Sequence, residues 1–250
     1  MSEQIQFQND IVRPATRLRK ASERGHVDHG WLKSAHSFSF ANYYAPEHVH
    51  FDALRVINDD RIAPNGGFPM HPHQDFEIFS YVIEGTIEHQ DSMGNGSQVS
   101  AGGIQYMTAG TGVRHSEFNP SPDEPLRILQ IWLVPTPRGA EPRYEVRQLT
   151  PEEKSGRLAL FISEDGRDGS IRTLAPAEVY AGTFDGDQSA AFTLGENRRG
   201  WIQVARGRLT VNGEELVEGD GLAVLEPGTL DIRNGEEAEI VLFDLRKLNG

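Results

Sequence analysis

Short apolar runs alternate with turn residues along almost the whole chain. The runs are rich in β-branched and aromatic residues, and glycine, proline and asparagine separate them. They cover residues 53–58, 76–84, 86–89, 98–100, 104–108 and 126–134, and then 158–163, 178–184, 190–194, 201–205, 208–211, 221–225 and 238–244. This cadence is typical of all-β sandwiches and barrels. We therefore predict an all-β protein that is built from short strands.

Three stretches refine this prediction. The run 76–84 is apolar at successive positions, so both faces of its strand should be buried between two layers. The pair Asn95-Gly96 favours a tight hairpin turn after the strand 86–89. Residues 25–40 lack a long apolar run, and we interpret them as a loop.

Two pairs of metal-ligating residues repeat the spacing i, i+2. His71 and His73 form the first pair, and His115 and Glu117 form the second. Residues i and i+2 of a strand point to the same face, so each pair can offer both side chains to one ion. Three neutral imidazoles and one carboxylate suit a borderline divalent ion such as iron, with nickel, copper, manganese or zinc as alternatives. The sequence therefore predicts one metal site that these four residues hold.

The other histidines are weaker candidates. His48 and His50 share the i, i+2 spacing, but neither a long apolar strand nor a second cluster of ligands follows them. His26, His29 and His36 show no such pairing. We interpret these three as hydrogen-bonded loop residues rather than as a second metal site or the rim of a substrate pocket.

The spacing of the site residues resembles a known family. The pattern H-x-H-x3-E-x7-G, followed by G-x2-H-x3-N, is similar to the two-motif signature of the cupin superfamily. Glu77 stands one position early for the usual glutamate ligand, and Gly110 replaces a proline of the second motif. Both departures resemble the pirin family. The stretches 29–40, 54–60 and 110–117 also resemble that family, and the similarity is close over about residues 15–147.

This resemblance implies a bicupin, which is two jelly-roll-type cupin barrels in tandem. It implies His71, His73, His115 and Glu117 as ligands of Fe(II), with Glu117 as the candidate catalytic base. The chain is most similar to the shorter bacterial branch, members of which have quercetin 2,3-dioxygenase activity.

An internal echo supports the tandem arrangement. Residues 82–87 parallel residues 204–209, and Gly102 and Gly110 parallel Gly219 and Pro227 at the same mutual spacing. In this register the four ligand positions project onto Thr193, Gly195, Ile232 and Asn234. No histidine follows His115 in the sequence, so the second half cannot rebuild the site.

The connection between the halves is polar and rich in proline over residues 135–157. A short helix should begin there at Pro151, with Thr150 as its N-cap. We predict an N-terminal metal-binding cupin domain over residues 12–137 and a C-terminal cupin-like domain without metal over residues 146–250.

Composition narrows the function. The chain of 250 residues carries a formal net charge of −13 and no cysteine, so disulfides and thiolate metal sites are excluded. A strongly acidic protein is poorly suited to direct nucleic-acid binding, which needs cations to replace condensed counterions. No apolar run approaches the length of a membrane span, and the first residues do not resemble a signal peptide. We expect a cytoplasmic protein without membrane contact.

Three functions remain open. The first is a metal-dependent dioxygenase that acts on a small flavonol-like substrate and O2. The second is a regulatory pirin that acts through a protein partner without flavonol turnover. The third is a scaffold with a structural metal. We prefer the oxidoreductase. A wide apolar pocket at the metal would support it, whereas a buried metal with no open path would support the regulator.

Overall fold

The computed structural model describes residues 13–248, which form twenty strands and one α-helix. The strands in chain order are β1 (Thr16–Arg19), β2 (Gly25–Asp28), β3 (Leu32–His36), β4 (Leu54–Ile62), β5 (Gly67–His73), β6 (Glu77–Glu84), β7 (Thr86–Asp91), β8 (Gly96–Ser100), β9 (Gly103–Thr108), β10 (Val113–Phe118), β11 (Leu126–Leu133), β12 (Arg143–Gln148), β13 (Ala159–Ser163), β14 (Ile171–Arg172), β15 (Ala177–Phe184), β16 (Ala190–Leu194), β17 (Arg198–Val211), β18 (Glu214–Val217), β19 (Gly221–Val224) and β20 (Gly228–Arg246). The helix α1 (Pro151–Lys154) and 3-10 turns at Ala21–Glu23, Pro46–His48 and Arg167–Gly169 lie between strands. The predicted all-β class is confirmed.

The first barrel consists of two sheets. A seven-stranded sheet has the order β12-β9-β6-β11-β4-β3-β2, and a four-stranded sheet has the order β5-β10-β7-β8. The hairpin that Asn95-Gly96 predicts is present, because β7 and β8 pair as antiparallel neighbours. The two sheets enclose an apolar cluster of Leu32, Ile62, Val82, Ile87, Val99, Leu126 and Ile128.

The second barrel is a single nine-stranded sheet that closes over its own core. Its long strands β17 and β20 pair with each other along most of their length, with register shifts that allow them to bend. Residues from both ends of each strand share one apolar cluster, such as Ile202 with Val211 and Leu230 with Leu242. The tandem barrels that the resemblance implies are therefore confirmed.

The largest apolar cluster lies between the two barrels, and β6 shows how it forms. Phe79 and Tyr81 of β6 point to the second barrel, where both rings lie 6.0 Å from the ring of Phe161. The alternate residues Ser80 and Val82 face the interior of the first barrel. Both faces of this strand are thus buried, as the sequence predicts.

The two barrels exchange strands near the predicted domain limits. β1 lies within the predicted N-terminal domain, but it pairs with β19 of the second barrel. β12 lies in the predicted linker, but it pairs with β9 of the first barrel. The domain limits 12–137 and 146–250 remain a prediction, and they do not take the exchange of β1 and β12 into account. Helix α1 begins at Pro151 as predicted, and the Thr150 hydroxyl accepts a hydrogen bond from the Glu153 amide.

The loop predicted over residues 25–40 is wrong for residues 25–28 and 32–36. β2 and β3 are strands in this stretch, because β3 finds its hydrogen-bond partners in β4, more than twenty residues further along the chain. A strand that is stabilised by a distant partner does not need an apolar run of its own, so no local sequence pattern predicts it. Among the helices of the described residues, none is long and apolar enough to cross a membrane.

Candidate metal centre

Pairing of β5 with β10 brings the two predicted ligand pairs together. His71 stands directly opposite His115, and their Nε2 atoms are 3.1 Å apart. The ring of His73 lies 4.7 Å from that of His71 and 4.9 Å from that of His115. Two nitrogens bound at about 2.1 Å and at right angles to one ion are about 3 Å apart. The spacing of these imidazoles therefore fits a shared divalent metal ion.

The protonation of the histidines also fits metal binding. Burial, reinforced by the neighbouring imidazoles, lowers the pKa of His73 and of His115 to about 3. Both rings are neutral at physiological pH and keep a free lone pair. His71 lies with Nδ1 2.8 Å from the carbonyl oxygen of Pro69, so Nδ1 donates there and Nε2 carries the lone pair. Nitrogen ligands of this kind suit a divalent transition metal.

His115 is supported from behind by a residue that the sequence analysis missed. Its Nδ1 lies 3.4 Å from Nδ1 of His89, and Nε2 of His89 lies 3.2 Å from Asp91. His89 is 1% exposed, and its ring stacks on Tyr144 at 4.1 Å. A proton on His89 Nε2 leaves Nδ1 to accept a hydrogen bond from Nδ1 of His115, so the lone pair of His115 lies on Nε2, which faces His71 and would be available to a metal ion. The sequence signal was a further i, i+2 pair, His89 and Asp91.

Glu117 lies near the histidines but outside their cluster. The group of ligand atoms within 4.8 Å of one another contains His71, His73 and His115 among the described residues, and no atom of Glu117. The ladder between β5 and β10 shifts register between His115 and Glu117, which changes where the carboxylate points. As the fourth ligand, Glu117 therefore stays a prediction.

Three donors from the facing sheet hold the Glu117 carboxylate. Ser80 donates to Oε1 at 2.9 Å, Gln105 also donates to Oε1, and Gln130 donates to Oε2 at 2.7 Å. Glu117 is 2% exposed, so these bonds replace the water that it loses on burial. Spacing in the sequence could not identify these partners, because they come from β6, β9 and β11.

Glu77 lies on the other face of the sheet, as the early position of this residue in the motif suggests. Its carboxylate accepts hydrogen bonds from Tyr106 and, at 3.0 Å, from Thr108. The backbone amide of Leu174 in the second barrel donates to it at 3.3 Å. Burial raises the pKa of Glu77, and the residue belongs to the contact between the barrels.

A cavity of about 460 Å³ adjoins the histidine cluster. His71, His73 and Glu117 line one side of it. The ring of Trp132 stands perpendicular to that of His73 at 4.8 Å and lies 5.5 Å from that of Phe40. The other aromatic side chains of the lining are Trp31, Tyr43 and Phe68. The site thus opens into space for an aromatic molecule.

The remaining histidines separate into two groups. His48 ends a 3-10 turn and His50 contacts the carbonyl of Asp52, so both lie outside the metal cluster, as predicted. His26 lies in β2 and His36 ends β3, so both contradict the prediction of loop residues. His36 is 4% exposed and lines the cavity, as His29 also does.

Known proteins share this architecture. A family model described as Pirin matches residues 16–133, and one described as Quercetinase C-terminal cupin domain matches residues 160–245. The chain is 50% identical over 228 residues to a protein of Escherichia coli K12 named quercetin 2,3-dioxygenase, covering 91% of this chain and 97% of that one. Two crystal structures from Escherichia coli, one of YhhW and one of the bacterial pirin YhhW in complex with nickel(II), have TM-scores of 0.89 and 47% identity, over 94% of this chain and 100% of YhhW. The chain belongs to the pirin family.

Proposed function

We propose that this protein is a metal-dependent dioxygenase that cleaves flavonols such as quercetin with O2. The observation that carries the proposal is the cluster of His71, His73 and His115 at one side of an aromatic cavity of about 460 Å³. The name of the Escherichia coli relative supports an oxidoreductase of this type. A structural metal would need neither the cavity nor its aromatic lining.

The donor set fits a divalent ion, and we propose Fe(II) as the resident metal. His71, His73 and His115 would hold it, with Glu117 as the fourth ligand. The nickel(II) complex of YhhW makes nickel the main alternative. A bound ion would act as a Lewis acid toward the chelating oxygens of the substrate.

Glu117 is the candidate base for the 3-hydroxyl of the flavonol. Its carboxylate lines the cavity beside His71, and Ser80, Gln105 and Gln130 fix its orientation. A carboxylate that is already oriented loses little entropy when a substrate hydroxyl arrives. Trp132 and Phe40 would hold the ring system and exclude water from the proton-transfer path.

The test is dioxygen uptake by the protein loaded with iron under anaerobic conditions. Wild-type protein should consume about one O2 per quercetin. Glu117→Gln keeps the shape and removes the basicity, and turnover should fall about 10²–10⁴-fold. No turnover by fully loaded wild-type protein, with iron or with nickel, would overturn the dioxygenase. Unchanged turnover in Glu117→Gln would overturn only the base role.

The alternative is a regulatory pirin that acts on a protein partner. The same histidines would then form a metal-dependent switch. The open, aromatic cavity favours the enzyme, because a switch would not require a space of this size at the metal. In either case we propose a cytoplasmic site of action.

A further inference from the structure

A row of polar side chains crosses the interior of the first barrel. The strand registers place His36 opposite Asn58, Asn58 opposite Gln130, Gln130 opposite Ser80, and Ser80 opposite Gln105. Directly opposed residues share one face of a sheet, so the five side chains form a continuous line. All five are buried. Buried polar groups are unfavourable unless they find hydrogen-bond partners.

One end of this row is satisfied within the protein. Ser80, Gln105 and Gln130 donate to the carboxylate of Glu117 from the facing sheet. This end holds the residue that stands next to the histidine cluster. The polar residues of the row on β6, β9 and β11 are thus explained by the Glu117 carboxylate that they hold.

The other end is not satisfied. Nδ1 of His36 and the amide oxygen of Asn58 are buried, and they find no hydrogen-bond partner among the described residues. Two residues away from these on the same strands, the Ser34 hydroxyl and Oδ1 of Asp60 are also buried without such a partner. Ser34 lies near enough to Asp60 to favour its ionised form, but the two make no hydrogen bond of normal geometry.

All four residues line the cavity beside the metal cluster. They are 5%, 4%, 3% and 2% exposed, in the order Ser34, His36, Asn58 and Asp60. Their unused atoms are mostly acceptors, since a carboxylate and an amide oxygen accept and a serine hydroxyl can do either. Burial raises the pKa of Asp60 to about 7. The protein therefore does not fully offset the hydration that the Asp60 carboxylate loses on burial. Hydroxyl groups of a bound molecule would supply the missing donors.

We propose that Ser34, His36, Asn58 and Asp60 form a subsite that recognises hydroxyl groups on an aromatic ring. This inference rests on the proposed function and deepens it. The substrate class is a polyhydroxylated aromatic molecule, in which the metal-chelating end lies at the histidines and a phenolic or catechol ring lies at the subsite. The aromatic residues Trp31, Phe40 and Phe68 face the same cavity and suit the flat ring.

The test compares two substrates. Quercetin carries two hydroxyls on its pendant ring, and galangin is the same flavonol without them. A site that is built to bind a hydroxyl discriminates strongly against an analogue that lacks it. We expect kcat/KM of the wild type to favour quercetin by about 10²-fold. In Asp60→Leu and Asn58→Leu this preference should collapse, with most of the loss in KM for quercetin and little change for galangin.

Binding without turnover provides a second measurement. Quenching of tryptophan fluorescence under anaerobic conditions reports the affinity for both flavonols. Asp60→Asn keeps the shape if the leucine variant fails to fold, and the exposed Asp123→Leu is the matched control that should leave the preference unchanged.

The outcomes separate the two proposals. Selective binding of quercetin that depends on Asp60, in a protein that does not turn it over, would support the subsite and reject the dioxygenase. Turnover in which the subsite variants affect quercetin and galangin equally would reject the subsite and retain the dioxygenase. Absence of binding of both flavonols would reject both.

Discussion

The two barrels are related by the internal repeat, but part of the interior of the first barrel is polar where that of the second is apolar. The internal repeat superposes Ser80 of the first barrel on Ile202 of the second, and the pairing of the neighbouring strands extends this match. Four polar residues of the first barrel then correspond to four apolar ones: Asn58 to Tyr180, Gln130 to Leu242, Ser80 to Ile202 and Gln105 to Leu222. All four residues of the second barrel belong to its apolar cluster or pack against it.

The metal positions differ in the same way. The repeat relates His89 to Val211. His89 pairs with Glu117 in the first barrel and Val211 pairs with Ile232 in the second, so Ile232 stands where Glu117 does and not, as predicted, where His115 does. Ile232 is fully buried. The projection of the second ligand pair is therefore wrong by two residues. At these positions the second barrel has a packing core, whereas the first barrel has the candidate metal site beside its apolar cluster.

This difference assigns stability and chemistry to different barrels. The polar part of the first barrel's interior does not gain the free energy of apolar burial, and polar groups without partners reduce stability further. The apolar interior of the second barrel and the cluster between the barrels offset this deficit. Changes at the polar positions of the first barrel should therefore alter function whether or not they alter stability, whereas changes in the core of the second barrel should alter stability alone.

The largest effect should come from His73→Ala. Two imidazoles that remain cannot match the chelation by three, so metal content should fall from about one ion per chain to near zero, and turnover with it. Metal analysis of the purified protein measures the change. His48→Ala is the control and should keep its full metal content. Full occupancy in His73→Ala, or two ions per wild-type chain, would contradict the assignment of a single site to the first barrel.

The reciprocal change in the second barrel is Ile232→Ala. Removal of a buried aliphatic side chain leaves a cavity and should lower the free energy of unfolding by about 2–5 kcal/mol. Metal content and kcat/KM of the folded protein should stay unchanged. Chemical denaturation and metal analysis together measure both. Loss of metal in a folded variant would show that the division between the barrels is wrong.

Whereas Ile232→Ala should destabilise the protein, Asp60→Asn should stabilise it at high pH. Burial, with contributions from Asp59 and Glu117, raises the pKa of Asp60 from 3.8 to about 7. The folded state then keeps a proton that the unfolded chain releases, so wild-type stability decreases as pH rises from about 4 to about 7. Asparagine does not titrate. The gain should reach at most about 4 kcal/mol above pH 7 and should be small at pH 4.

Denaturation across this pH range measures the effect. The protein must be free of metal, because a bound cation would change the pKa of Asp60. Asp123→Asn, at an exposed position, is the control. Equal stability of Asp60→Asn and wild type at both ends of the range would contradict the prediction.

The smallest effect is expected from His89→Phe. Phenylalanine keeps the stacking on Tyr144 but cannot accept a hydrogen bond from Nδ1 of His115. Loss of such a support typically weakens metal affinity by about 10–100-fold. Competition with a chelator measures the affinity, and Tyr144→Phe should leave it unchanged. If His89→Phe binds the metal with wild-type affinity, His89 contributes only to packing.

The sequence by itself determined the parts of this protein that depend on local spacing. The i, i+2 pairs placed His71, His73 and His115 on common strand faces, and the glycine turns placed the hairpin. The absence of histidine after His115 determined that the second barrel could not repeat the site. Periodicity along a strand is a property of neighbouring residues, so it can be recognised before the fold is known.

Only the tertiary structure decided what surrounds the three imidazoles. It brought Gln105 and Gln130 to Glu117, His89 behind His115, and His36 and Asp60 to the cavity wall. It also exchanged β1 and β12 between the barrels. Each of these contacts joins residues that are far apart in the chain and depends on strand register across a sheet or between two sheets. Register is set by the closure of the whole barrel, because a slip of one residue would turn every side chain of a strand to its other face.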